Sequence, residues 1–285
     1  MKLLRRNPLA AYVLGTFLWS WGVWCALMQV PLTPGRTPWF LIYLTGLSGP
    51  LVMGVLLTLS VDGWKGLAAL GRRLWIWNFS PGWLVLALGL PPALGVGSLW
   101  LAHWMFEETF LPPQPTFAFI AAYFFLTLLR SGPLSEEFGW RGFLLPGLLK
   151  RFNPGAASLI VAAIWSVWHW PLWFLPLLPN KYCPFGLFAL MVFPLTFLFT
   201  WLHLRTQGSL LVALCFHAAV NASLFYLAIL PPHSLGFHPF YLWIAVSWII
   251  TLGVVGVNWR EWWVFGYVAS RDSKMVPASS AIQAA

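Results

Sequence analysis

The sequence predicts an all-α fold, a polytopic membrane helix bundle of about eight transmembrane helices. Three observations carry this expectation. Only 8% of the 285 residues are charged while 60% are hydrophobic, and a soluble domain needs about 25% charged residues to face water. The apolar residues run in stretches close to the roughly 20 residues that a spanning helix requires. The basic residues fall between those stretches, almost all on one side of their alternation. A soluble domain with an oversized core would still need a polar exterior, and this chain lacks the residues for one.

The expected spans are 9–30, 38–61, 82–106, 116–150, 155–177, 184–204, 208–230 and 240–259. The fourth is long and interrupted at Gly132-Pro133. The first follows Lys2, Arg5 and Arg6 as a signal peptide would. Its apolar run is too long and no clear small-residue cleavage site follows, so it reads as a retained anchor. Asp62 to Trp83, with Lys65, Arg72 and Arg73, reads as a short interfacial helix. Residues 1–269 then form one transmembrane domain, and the small, polar tail 270–285 reads as disordered and cytoplasmic.

Orientation follows from the basic residues. With the N-terminus inside, the cytoplasmic side holds Lys2, Arg5, Arg6, Lys65, Arg72, Arg73, Lys150, Arg151, Arg205, Arg260, Arg271 and Lys274. The opposite side holds Arg36 and Lys181, with Arg130 and Arg141 inside a helical stretch. Such a bias places both termini in the cytoplasm. It also accounts for the net charge of +9, so nucleic acid is not expected as a partner. Trp75, Trp77, Trp259, Trp262 and Trp263 near span ends suit interfacial belts. Cys25, Cys183 and Cys215 are scattered, with no CxxC, and imply neither a disulfide framework nor a thiolate metal site. Each reads as a small apolar residue in a helix.

Ionisable residues inside spans are costly and are functional candidates by default. The candidates are Arg130, Glu136, Glu137, Arg141, His169 and His217, with Asn221 as a polar neighbour. His203 reads as interfacial. Glu107, Glu108, His103, His233 and His238 fall at or near the outer side, where solvent accounts for them.

The strongest local signal is Ser135-Glu136-Glu137-Phe138-Gly139-Trp140-Arg141. Glu137 and Arg141 are four apart with the acid first, the favourable order for a helical ion pair. Glu136 points about 100° round the helix and is left without that partner, as suits a general acid or base. The bland reading is a structural ion-pair cluster joining two helices. Next comes Trp165-Ser-Val-Trp-His169. Glu136 lies 16 residues before Phe152, and His169 lies 16 after Asn153, across the turn at Lys150 to Gly155. Equal distance from the turn of a helical hairpin puts both roughly 20 Å from the loop. A lone His among aromatics is usually a packing residue, but this one has an acid opposite it. Third, His217 and Asn221 share a face of the seventh span, with His217 about 14 Å in.

Together these residues supply a carboxylate base, two imidazoles and further donors, which suits activation of water and stabilisation of an oxyanion. Glu136, His169 and His217 would also suit a divalent metal such as zinc, because two His and a carboxylate leave an open coordination position. No HExxH helix is present.

EExxxR at 136–141, aromatic-xxx-His at 165–169 and HxxxN at 217–221 resemble the CAAX-protease and bacteriocin-processing (Abi) family of intramembrane proteases. The resemblance covers about 116–230, the expected catalytic core. It implies that Glu136 activates water with His169 helping to hold it, that Glu137 and Arg141 support it, and that His217 with Asn221 stabilises the oxyanion. Trp165 stands where the family often has Phe, which keeps an aromatic wall. The resemblance leaves open whether the mechanism is that of a metalloprotease or of a metal-independent glutamate protease. It implies a membrane-associated or prenylated (CAAX-type) peptide substrate, which a site within the slab and open to the cytoplasm would favour.

Two other classes compete. A serine protease would use Ser131 or Ser135, but no nucleophile elbow surrounds either. Cys215 is on the wrong face to pair with His217. A transporter, or a partner-binding or immunity protein, could use the same intramembrane charges, and broken helices are a transporter device. No inverted repeat accompanies the break.

Overall fold

The computed structural model describes residues 7–30, 38–107, 117–130, 132–227, 229–230 and 237–264. Among them every regular element is helical. In order these are α1 (Pro8–Leu27), α2 (Pro38–Leu47), α3 (Gly49–Arg72), α4 (Gly82–Phe106) and α5 (Phe117–Arg130). A segmented rod follows: α6 (Pro133–Gly139), a π-helical turn (Trp140–Leu144) and α7 (Leu145–Leu149). Then come α8 (Pro154–Trp168), a 3-10 turn (Trp170–Phe174), α9 (Phe185–Arg205), α10 (Leu210–Tyr226), α11 (His238–Val257) and α12 (Trp259–Trp263).

Among the described residues six helices are long and apolar enough to cross a membrane, and α2 and α10 are shorter apolar helices. Each expected span falls on helix, the second on α2 with α3 and the fourth on α5 to α7. The chain is therefore an integral, multi-pass helical bundle. α3 leaves helical geometry at Gly63, where the interfacial segment was expected to begin. Trp64, Trp75 and Trp77 beyond it are exposed, as interfacial anchors are. α8 is started by Asn153, whose Oδ1 accepts the Ala156 N–H at 2.8 Å, with Pro154 at the first helical position, where its missing N–H costs nothing.

Side-chain bonds fix which loops share an end of the bundle. At one end Arg73 reaches Gly208, Ser209 reaches Ile76 O, Asn153 reaches Trp263 O, and Arg205 pairs with Glu261 at 2.6 Å. Leu9 packs against Gly147 there as well. We call this the basic end, because Arg72, Lys150, Arg151 and Arg260 belong to it. At the other end Trp173 donates to Cys183 O, Trp170 packs on Phe185 and Phe106 stacks on His238. α10 runs through the middle, against α4, α5, α6 and α9.

Two expectations are corrected. Trp262 is fully buried against Phe197 and is no interfacial anchor. Cys183 lies buried between helices rather than within one. His203 is half-buried in the last turn of α9, 3.5 Å from Arg73. Lys2, Arg5, Arg6, Arg36, Glu108, Ser131, His233, Arg271, Lys274 and the tail 270–285 lie outside the described residues.

Candidate active site

The site begins with a helix start. Pro133 opens α6, and Gly132 before it has φ 101°. The Glu136 N–H and the Ser135 hydroxyl both donate to Gly132 O, at 2.7 and 2.9 Å. Glycine is required here twice over. Its φ is one that side chains rarely adopt, and a Cβ would overlap Glu136 Oε1. One turn later Gly139 lies against α3, where a Cβ would meet Pro50 O and the Tyr12 hydroxyl. Close helix approach through small residues is a usual membrane packing device, and here it anchors the helix carrying both glutamates.

The two carboxylates have different partners. Glu136, 2% exposed, accepts from the Trp165 indole at 2.5 Å and from the Trp140 indole at 3.3 Å through Oε2. Glu137, fully buried, accepts through Oε1 from Arg141 at 3.0 Å and from His217 Nδ1 at 2.7 Å. The predicted i,i+4 ion pair therefore forms. Among the described residues Arg141 Nε and Nη2 have no hydrogen-bond partner. Instead the guanidinium lies 3.8 Å from the Phe199 ring centroid and 4.5 Å from that of Trp165, a cation–π contact that strengthens when desolvated.

Arg141 is the second residue of the π-helical turn. Pro146 has no N–H to return to Gly142 O, so the helical ladder fails at this point, and π-turns often mark functional sites. Arg73 supplies the missing donors. Its guanidinium bonds Gly142 O, Arg141 O and Gly208 O at 2.7–2.9 Å. It thereby ties the turn to the loop between α9 and α10.

His169 ends α8 and donates Nδ1–H to Trp165 O at 2.8 Å. His217 sits on α10 with Asn221 one turn further along. In both imidazoles Nδ1 is bound to an acceptor, which assigns the proton there and leaves Nε2 as the remaining ring nitrogen.

Glu136, His169, His217 and Asn221 line one cavity of about 240 Å³, together with Trp165 and residues of α2, α9 and the 180–183 segment. Glu137 and Arg141 are absent from its wall and stand behind it. Among the described residues no three His, Cys, Asp or Glu side chains stand as a metal-holding group. The Nδ1 bonds leave Nε2 of both imidazoles as the ring nitrogens a metal would take.

The cavity occupies one half of the bundle. Its lining is Trp165 from α8, His169 and Leu172 just beyond that helix, Phe188 to Leu195 from α9, and His217 to Phe225 from α10. All lie in the middle or in the half away from the basic end.

Sequence reasoning missed three participants. Trp165 was read as a wall, yet it donates to Glu136, flanks Arg141 and packs edge-on to His217 at 5.5 Å. Trp140 offered a signal, being four residues from Glu136 on the same helix. Arg73 offered none, since its partners are backbone carbonyls far away in sequence. Of the remaining candidates, Ser135 is spent on the helix start, Glu107 is an exposed helix end, and Arg130 closes α5.

Residues 115–223 match the type II CAAX prenyl endopeptidase Rce1-like family. A stretch of 110 residues is 34% identical to CAAX prenyl protease 2 of Methanococcus maripaludis. The match covers 36% of this chain and 41% of that relative, less than half of either.

Proposed function

We propose, from the match of residues 115–223 to the Rce1-like CAAX prenyl endopeptidase family, that this chain is an intramembrane endopeptidase working through a water activated by Glu136. The observation that carries this reading is the shared cavity wall. One carboxylate and two imidazoles line it, with a buried ion pair holding one imidazole from behind.

In this mechanism water donates one O–H to Glu136 and the other to His169 Nε2, whose lone pair is free because Nδ1 carries the proton. Glu136 takes the proton as the water oxygen bonds to the scissile carbonyl carbon. The resulting oxyanion is received by His217 and Asn221. Since Nδ1–H is already given to Glu137, His217 can donate through Nε2 only as an imidazolium, and the Glu137 carboxylate supports that charge. Collapse of the intermediate breaks the C–N bond, and Glu136 returns its proton to the leaving amine. No step needs a metal. The interruption at Gly132-Pro133 is accounted for by the cradle it makes for Glu136, which removes the main argument for a transporter.

The test is cleavage of a pool of prenylated and hydrophobic peptides by the detergent-purified chain, beside Glu136→Gln. Wild type is expected to cut and the variant to lose about 10³-fold, in the range for a general base. Equal rates would place the chemistry elsewhere. Zinc content and chelator sensitivity decide the metal question: activity that survives metal removal fits the metal-free steps above, whereas loss restored by zinc would make Glu136, His169 and His217 its ligands.

A further inference from the structure

His169 stands at a weak point of the backbone. α8 ends at Trp168, and the last carbonyls of a helix have no partner within it. For Trp168 O the sequence removes both local donors. Pro171, three residues on, has no N–H. Leu172, four residues on, gives its N–H to His169 O at 2.9 Å. The orphaned carbonyl belongs to the peptide unit whose nitrogen is that of His169. Whatever holds it therefore fixes the base from which the imidazole projects.

The donor comes from α1, outside the stretch 115–223 that matches the family. Trp21 gives its indole N–H to Trp168 O at 3.0 Å. Three residues along α1, Trp24 is fully buried with its ring 5.0 Å from that of Trp168. Its own N–H goes to Tyr43 O at 3.2 Å, and Tyr43 lines the cavity. The Trp168 ring in turn stands edge-on to His169 at 4.8 Å and to Trp140 at 5.7 Å. Trp140 donates to Glu136. Trp168 thus links the two groups assigned to the water, and α1 holds Trp168 by both its carbonyl and its ring.

We infer that Trp21 is a positioning residue of the active site, acting on His169 through the Trp168 carbonyl. Trp21 is only half-buried, so its ring adds little to the core, and its N–H is the part that reaches the site. The same helix supplies its own comparison. Trp19 donates to Thr45 O at 2.9 Å, a bond of the same kind whose acceptor is no part of the cavity wall.

The effect on rate rests on the peptidase reading, whereas the effect on the imidazole does not, and the experiment reads both. The detergent-purified chain carries nitrogen-labelled histidine; six histidines keep the NMR spectrum sparse, and His169→Ala assigns the signal. Trp21→Phe keeps a ring and loses the N–H. In that variant the His169 signal is expected to shift and broaden, with kcat on a cleaved prenylated peptide about three- to tenfold lower, the range for one neutral hydrogen bond. KM should stay within about twofold. Trp19→Phe should match wild type in signal and rate. Adding Pro171→Ala to Trp21→Phe gives Trp168 O a local N–H and should restore most of the lost kcat. An unchanged His169 signal in Trp21→Phe overturns the inference, even if the rate falls, because the residue would then be merely structural. An equal change in Trp19→Phe, or a loss that Pro171→Ala leaves in full, overturns it too. A changed signal beside a wild-type chain that cuts nothing would uphold the positioning and sink the peptidase reading alone.

Discussion

His217 Nδ1 lies 2.7 Å from Glu137 Oε1, so the imidazole on α10 is held by the second glutamate of the pair, not by the one facing the cavity. Glu137 also holds Arg141, which makes one carboxylate the joint between two helices and two basic groups. The adjacent acids of the motif thus divide their work. Glu136 points to the cavity and takes its hydrogen bonds from neutral indoles, and Glu137 organises the cations behind it.

Removing that joint should affect the fold and the rate differently. Glu137→Ala leaves Arg141 as an uncompensated buried charge, a loss of about 3–5 kcal/mol for a broken buried pair. Glu137→Gln keeps an acceptor for the His217 N–H but no negative charge to support an imidazolium. It is expected to stay folded, with kcat at least tenfold down and KM within about twofold, since only transition-state support is lost. Thermal unfolding in detergent beside kcat and KM for both variants checks this. A Glu137→Gln enzyme with wild-type kcat would remove the imidazolium from the mechanism.

Trp165→Phe asks whether the indole is more than a wall. Phenylalanine keeps the ring face beside Arg141 and loses only the N–H given to Glu136 at 2.5 Å. A hydrogen bond to a charged group is worth about 1.5–3 kcal/mol, so the rate should fall about 10–100-fold if the bond serves to aim the carboxylate. Trp140→Phe, whose bond is longer at 3.3 Å, should cost less. Parallel measurement of kcat for the two variants ranks them, and the reverse order would contradict the assigned geometry.

Gly132→Ala should be damaging out of proportion to one methyl group. The φ of 101° strains any L residue, at a cost of order 1–3 kcal/mol. The added Cβ must also displace Glu136 Oε1. The expected phenotype is a folded protein, seen as a monodisperse detergent peak, with kcat reduced as strongly as by Trp165→Phe. Gly71→Ala serves as control, because a Cβ there meets nothing within 4 Å; its rate should match wild type.

Legibility in the sequence tracked locality. Helical spacing alone predicted the Glu137–Arg141 pair, and the symmetry of Glu136 and His169 about the turn at 150–155 put them at one level, as their shared cavity shows. The same arithmetic placed both about 20 Å from the basic loop, past the middle of the slab. What stayed hidden was contact between distant segments. The indole of Trp165 reads as apolar bulk until its N–H is seen 2.5 Å from a carboxylate. His217 gave no sign of choosing Glu137 over Glu136, because adjacent residues on a helix share nearly the same depth.

Arg73 supplies the most distant of these contacts and the last prediction. In sequence it is one of two arginines at the end of an interfacial helix, indistinguishable from Arg72. In the structure it donates to three backbone carbonyls, two of them in the π-turn that carries Arg141. A lysine keeps the charge but has no planar fork to span them. Arg73→Lys should leave two or more buried carbonyls short of a donor, at about 1–3 kcal/mol each. The turn would then loosen, and through Arg141 and Glu137 the hold on His217 would weaken. The expected outcome is a lowered thermal midpoint together with reduced kcat, and Arg72→Lys should change neither. If Arg73→Lys lowers stability while kcat is unchanged, the latch closes the bundle without positioning the site.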